Sequence, residues 1–158
     1  MSDSSPADIR MVDVGGKAVS VRTARASARL LARPATLEQI RSGRLKKGDA
    51  LAAARLAGIM AAKRTSELVP LCHPLPLDAV EVMIDCTPDD HVVIQATVRA
   101  TARTGVEMEA LVAATAAALT IYDMAKSIDP AMELAGVRLE EKTGGVRGDY
   151  QRPPDGGD

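Results

Sequence analysis

A chain of 158 residues with no Phe, no Trp and only two Tyr must fill its interior with aliphatic side chains. Its core has to be built from Ala, Val, Leu, Ile and Met. Ala-rich helix faces let backbones approach closely, which points to flat layers of helix on sheet and to self-association. The length suits one domain with a core of ordinary size. Hydrophobic residues make up 46% and charged residues 26%, a balance that is globular rather than disordered.

Charge narrows the partners. The formal net charge is −1, so no global field draws in nucleic acid or a membrane surface, and an anionic ligand must be held by local basic clusters. Cys72 and Cys86 form no CxxC and have no His/Cys spacing suited to zinc, so they read as reduced thiols. No charged segment leads into an apolar leader, and no long apolar run is free of charge. These features predict a soluble, cytoplasmic protein with no nucleic-acid or membrane partner.

Residues 1–10 and 151–158 are polar and rich in Pro or Gly, and are expected to be tails around a single domain at 11–150. Small residues alternating with Arg22, Arg25 and Arg29 predict a first strand over Ala18–Ala32. Thr36 is expected to cap a short helix that Gly43 stops. Asp49 should cap a long helix from Ala50 to Leu68. After a Pro-punctuated loop come two strands, Leu77–Cys86 and Val92–Thr101, joined by a turn at Thr87–His91. A second long helix follows over Val106–Ser127, then a short strand at Val137–Glu140. This order predicts the split β-α-β-β-α-β arrangement of an α+β, ferredoxin-like fold: a four-stranded antiparallel sheet with two long helices on one face.

Four polar segments stand out against this background. Lys46–Asp49 leads into a helix, where free backbone N–H groups and the dipole suit an anion, although composition alone favours a solvated turn with an Asp cap. Lys63 and Arg64 end that helix, as the dipole favours, and His73 follows between prolines that stiffen its backbone. Glu107 and Glu109 open the second long helix about 200° apart, so they cannot share one solvent face. At least one must turn towards the core or a subunit contact, where a carboxylate requires a partner. Asp123 and Lys126, at i and i+3, are neighbours that become an acid/base pair if desolvated and a weak surface salt bridge otherwise. No Walker loop, GxGxxG, HExxH or GxSxG occurs.

Taken in order, these segments resemble one family. The strings MVDVGGKAVSVRTARA, KGDALAAARLAGIMAAKRTSELVPLCHPLPL, RTGVEMEALVAATAAALTIYDMAKSID and RLEEKTGGVRG are similar to the cyclic pyranopterin monophosphate synthase family of molybdenum cofactor biosynthesis, over Met11 to Tyr150. The resemblance implies a lyase acting on (8S)-3′,8-cyclo-7,8-dihydroguanosine 5′-triphosphate. The products are cyclic pyranopterin monophosphate and pyrophosphate. It implies a homohexamer, a trimer of dimers, with sites at subunit interfaces. No metal or other cofactor is required, Mg²⁺ being at most a companion of the triphosphate. The competing reading is a non-catalytic hexameric homologue that binds a triphosphate without turning it over.

The resemblance also assigns residues. Asp123 matches the catalytic aspartate and Lys126 the lysine one turn later, with Lys47 beside them in the chemistry. Lys63, His73, Glu107, Glu109 and Lys142 match positions around the substrate, and Arg22 matches a basic residue of the first strand. If Lys47 and Asp123 serve one site from different subunits, mixing inactive variants of the two should restore some activity. One departure is visible. The family commonly ends on Gly-Gly-Lys, whereas this chain has Gly144-Gly145-Val146-Arg147. Arg147 is the candidate to take over the phosphate contact, since its fork and reach can compensate for a one-residue shift.

Overall fold

The computed structural model describes residues 9–154. The long strand β1 (Ser20–Leu31) is followed by helix α1 (Pro34–Arg41), helix α2 (Ala50–Ala62) and a single turn of helix, α3 (Thr65–Leu68). Strands β2 (Ala79–Asp85) and β3 (His91–Ala102) come next, then helix α4 (Glu107–Ala125) and strands β4 (Glu133–Thr143) and β5 (Tyr150–Gln151). The sheet order is β2-β3-β1-β4-β5 with every pair antiparallel. Strands β1–β4 in this order are the ferredoxin-like sheet expected from the sequence, and β5 adds a fifth, two-residue edge strand.

Period two decides which face the core takes. The β1 residues Ala24, Ala26, Ala28 and Leu30 pair across from Val98, Ala96, Ile94 and Val92 of β3, and all eight are fully buried. Against this face lies α4, presenting Ala110, Ala113, Ala114, Ala117, Ala118, Ile121 and Ala125, also fully buried. By length and apolarity alone α4 passes as a membrane span, but this buried small-residue face makes it the core helix of the domain. The missing aromatics have a direct consequence here. α2 crosses α4 so closely that a Cβ placed on Gly58 would stand 2.9 Å from the Ala113 carbonyl oxygen. Such an approach is open only to a backbone without a side chain at the crossing.

Several local expectations are corrected. α1 begins at Pro34, with Arg33 as an N-cap that makes no side-chain hydrogen bond. Thr36 lies inside the helix, buried, and its hydroxyl donates to Asp129 Oδ2 at 2.9 Å. The long helix expected to Leu68 stops at Ala62, and the Thr65 hydroxyl donates to the Ala62 carbonyl at 3.0 Å, starting the separate turn α3. The last strand runs from Glu133 to Thr143 rather than over four residues. The expected C-terminal tail starts inside the sheet: Gln151 pairs with Glu141, and Arg152 N–H donates to the Glu140 carbonyl at 2.7 Å. Of the two expected tails, residues 1–8 and 155–158 lie outside the described residues.

Candidate active site

The polar residues singled out in the sequence collect at the two ends of α4. Its N-terminal end opens onto a cleft of about 480 Å³ whose wall includes Arg22, His73, Glu107, Glu109, Lys142 and Arg147. The sheet register puts them there: Arg22 stands near the start of β1 opposite the end of β3, and Lys142 pairs with Ala24 one residue pair away from Thr23. His73 arrives on the loop between α3 and β2, whose Leu71, Cys72 and Leu75 line the same cleft.

The two glutamates divide as their 200° separation requires. Glu109 is 4% exposed, while Glu107 is half-buried and accepts a hydrogen bond from Lys142 Nζ at 3.0 Å. Burial pushes the Glu109 carboxyl above the usual carboxylate range; a hydrogen bond from the backbone works against this and the Glu107 charge adds to it. Burial, then the neighbouring Glu109, likewise raises the Cys72 thiol and keeps it neutral. Arg22 is 9% exposed as a residue, with its guanidinium Nε directed at the Ala102 carbonyl (3.4 Å) and Nη2 at that of Arg103 (3.5 Å). Three further cations, Arg10, Lys17 and Arg103, border the cleft. Sequence reasoning passed over them, although Lys17 and Arg103 sit inside the strings that carry the resemblance.

At the C-terminal end of α4 stands a three-membered ion cluster. Asp123 accepts from Lys126 Nζ through Oδ1 at 2.7 Å and from Lys47 Nζ through Oδ2 at 2.6 Å. Lys47 also donates to the Asp123 backbone carbonyl at 3.0 Å. Lys47 and Asp123 thus meet within one chain, so bringing these two together does not require a second subunit. Hydrogen bonds from Lys126, then Lys47, hold the Asp123 carboxyl at about 2, and the Asp123 bond raises Lys126 in turn. All three side chains are about half exposed, so in a single chain the pair has water around it rather than the dry cleft that would tune a lysine downward.

At the helix start the Asp49 carboxylate itself accepts from the N–H groups of Leu51 and Ala52 at 2.9 and 3.0 Å, so these two donors are already taken. That capping positions the preceding Gly48 turn and with it Lys47. Lys63, at the C-cap of α2, borders neither cluster but a smaller depression with Leu75, Leu77 and Asp78. Among the described residues no three His, Cys, Asp or Glu side chains converge as metal ligands.

Glu107 and Asp123 lie on the same helix, and at about 1.5 Å per residue they are about 24 Å apart. One chain thus carries a cation-bordered cleft at one end and an open ion cluster at the other. The chain is similar to known proteins over most of its length. The model of the MoaC family matches residues 11–145. A cyclic pyranopterin monophosphate synthase of Herpetosiphon aurantiacus is 59% identical over 144 residues, covering 90% of this chain and 88% of the relative. The cyclic pyranopterin monophosphate synthase 3 of Mycobacterium tuberculosis is 55% identical over 154 residues, covering 94% and 87%. That of a Nostoc species is 56% identical over 147 residues, covering 91% and 86%.

Proposed function

The chain belongs to the MoaC family, and from that membership we propose that it is the lyase that makes cyclic pyranopterin monophosphate. The substrate is (8S)-3′,8-cyclo-7,8-dihydroguanosine 5′-triphosphate, pyrophosphate leaves, and the product feeds molybdenum cofactor biosynthesis. The observation that carries the site assignment is the separation of the two clusters along α4. A reaction that opens a purine ring, closes a pyran ring and expels pyrophosphate needs proton transfer and anion binding at one place. A single chain keeps them about 24 Å apart, so each working site joins the cleft of one subunit to the Lys47–Asp123–Lys126 cluster of another, in the homohexamer of three dimers. Contact with a second subunit also removes water from the cluster, and loss of water lowers the Lys126 ammonium towards the range useful for acid/base work.

The roles follow from chemistry. Asp123 orients and charges the two lysines, and Lys126 or Lys47 passes protons to and from the ring atoms. The buried Glu109 and the Lys142-paired Glu107 suit the N–H donors of the guanine-derived ring. Arg22, His73, Lys142, Arg147 and the bordering cations face the triphosphate and the charge that grows on the departing pyrophosphate. Lys63 enters from the neighbouring depression. Mg²⁺, where present, travels with the triphosphate.

The test mixes two inactive variants, His73→Ala from the cleft and Asp123→Ala from the cluster, by co-refolding. In shared sites about a quarter regain both intact halves, and pyrophosphate release returns in that proportion. Full inactivity of the mixture, with each variant correctly assembled, would place both clusters in one-chain sites and overturn the reading. Absence of pyrophosphate release by the unmodified protein would favour the non-catalytic homologue.

A further inference from the structure

The Gly144-Gly145 pair, at the turn leaving β4, has two different neighbours. Both residues have positive φ, +87° and +94°. A Cβ on Gly144 would stand 2.2 Å from the Val21 backbone oxygen, so this position is closed by the sheet itself. A Cβ on Gly145 would stand 1.6 Å from Arg22 Nη1 and 2.8 Å from its Cζ, and its three nearest neighbours are all atoms of that guanidinium. The volume a side chain would take at residue 145 is already filled by the head of Arg22.

We propose that Gly145 is a positioning residue: its bare α-carbon is the seat that holds the Arg22 guanidinium in the cleft. The guanidinium has the Ala102 and Arg103 carbonyls on one side and the Gly145 backbone on the other. A flat, delocalised cation fits against a backbone without a Cβ. Its placement, rather than loop flexibility, is the use made of the second glycine. Because Arg22 is a long side chain, a methyl group at 145 displaces the guanidinium instead of meeting rigid backbone, in addition to the strain any L side chain has at φ +94°. At 144 the same methyl group meets rigid backbone. The inference rests on the proposed reading that Arg22 faces the substrate triphosphate.

Gly148 supplies the control. It lies in the same turn at φ +74°, and a Cβ there meets nothing within 4 Å. Gly145→Ala and Gly148→Ala both place an L side chain in the left-handed region, but only the first meets Arg22. The experiment is a crystal structure and steady-state kinetics of the full-length assembly for Gly145→Ala, Gly148→Ala, Arg22→Ala and the Arg22→Ala/Gly145→Ala pair. In Gly145→Ala the guanidinium should be displaced from the two carbonyls. KM should rise about 10- to 100-fold, as in Arg22→Ala, the loss expected for a hydrogen bond to a charged group. The double variant should be no worse than Arg22→Ala alone, and Gly148→Ala should keep a near-normal KM. Arg22 in place in the Gly145→Ala crystal, fully additive losses in the pair, or an equal rise in KM for Gly148→Ala would each overturn the seat. Displacement with KM unchanged in both Arg22→Ala and Gly145→Ala would uphold the seat and instead fault the substrate reading of Arg22.

Discussion

The two ends of α4 solve opposite problems. At its N-terminal end the charges are sunk into the fold: Glu109 is buried, Arg22 is nearly so, and Glu107 and Lys142 neutralise each other at 3.0 Å on the cleft wall. At its C-terminal end Lys47, Asp123 and Lys126 form a tight cluster in open surroundings. The first end is therefore a cleft formed within one chain. The second is geometrically formed but open to water, and its Asp123 bond holds the Lys126 ammonium above its ordinary value. The same ion pair has two different strengths, depending on what covers it.

The largest expected effect tests the open end. Asp123→Asn keeps the shape but loses the charge that pairs with both lysines, and Lys126→Ala removes one of the two lysines. Either should lower kcat by about 10²- to 10⁴-fold, the range for general acid–base groups, with circular dichroism and assembly unchanged. Near-normal pyrophosphate release from either variant would remove the cluster from the chemistry.

A second prediction concerns what holds that end in place. Asp129, just beyond α4, is 1% exposed and accepts from the Arg33 N–H at 3.0 Å and the Thr36 hydroxyl at 2.9 Å. Burial would raise its carboxyl, but these bonds and the Arg33 guanidinium at 3.1 Å leave it below the ordinary range. Asp129→Ala strands buried donors and should cost about 2–3 kcal/mol in denaturant unfolding. Since the folded-state value is depressed, the contribution is complete above the ordinary carboxylate range and is lost as pH falls through it. The gap between wild type and variant should close in acid. A gap that persists unchanged there would mean that packing, not the carboxylate, joins α4 to α1.

Arg147→Ala sharpens the other end. If Arg147 holds a phosphate from the exposed rim of the cleft, substrate binding weakens by about 1.5–3 kcal/mol at low salt. The loss shrinks as salt rises, because an exposed charge is screened. Unchanged affinity at low salt would leave Lys142 as the cation that this loop contributes.

The smallest effect falls on Glu109. Its carboxyl is raised by burial, so the folded state is most favoured at low pH and loses stability as pH rises through the elevated value. Glu109→Gln should leave stability unchanged below the ordinary carboxylate range and make the protein slightly more stable at neutral pH. Thermal melts at acid and neutral pH would show it. A destabilised Glu109→Gln at pH 7 would mean that the carboxylate has a charged partner in the assembled protein.

Much of this was written in the sequence. The alternation of small residues along β1 and β3, the Asp49 cap and the order of strands and helices are local patterns, and the fold follows them. The 200° between Glu107 and Glu109 already required one of them to turn inward, and the polar strings carried the family. What was not legible depends on residues far apart in the chain. That Thr36 serves Asp129 rather than a helix cap, and that Lys47 meets Asp123 within one chain, are long-range contacts. So is the Arg22 guanidinium filling the place of a side chain at Gly145. Spacing reports neighbours within about one helical turn or one strand pair. Which distant groups meet is fixed only when the sheet takes its register and the aromatic-free core lets α2 and α4 close to backbone contact, for those two events set the distances on which charge and packing act.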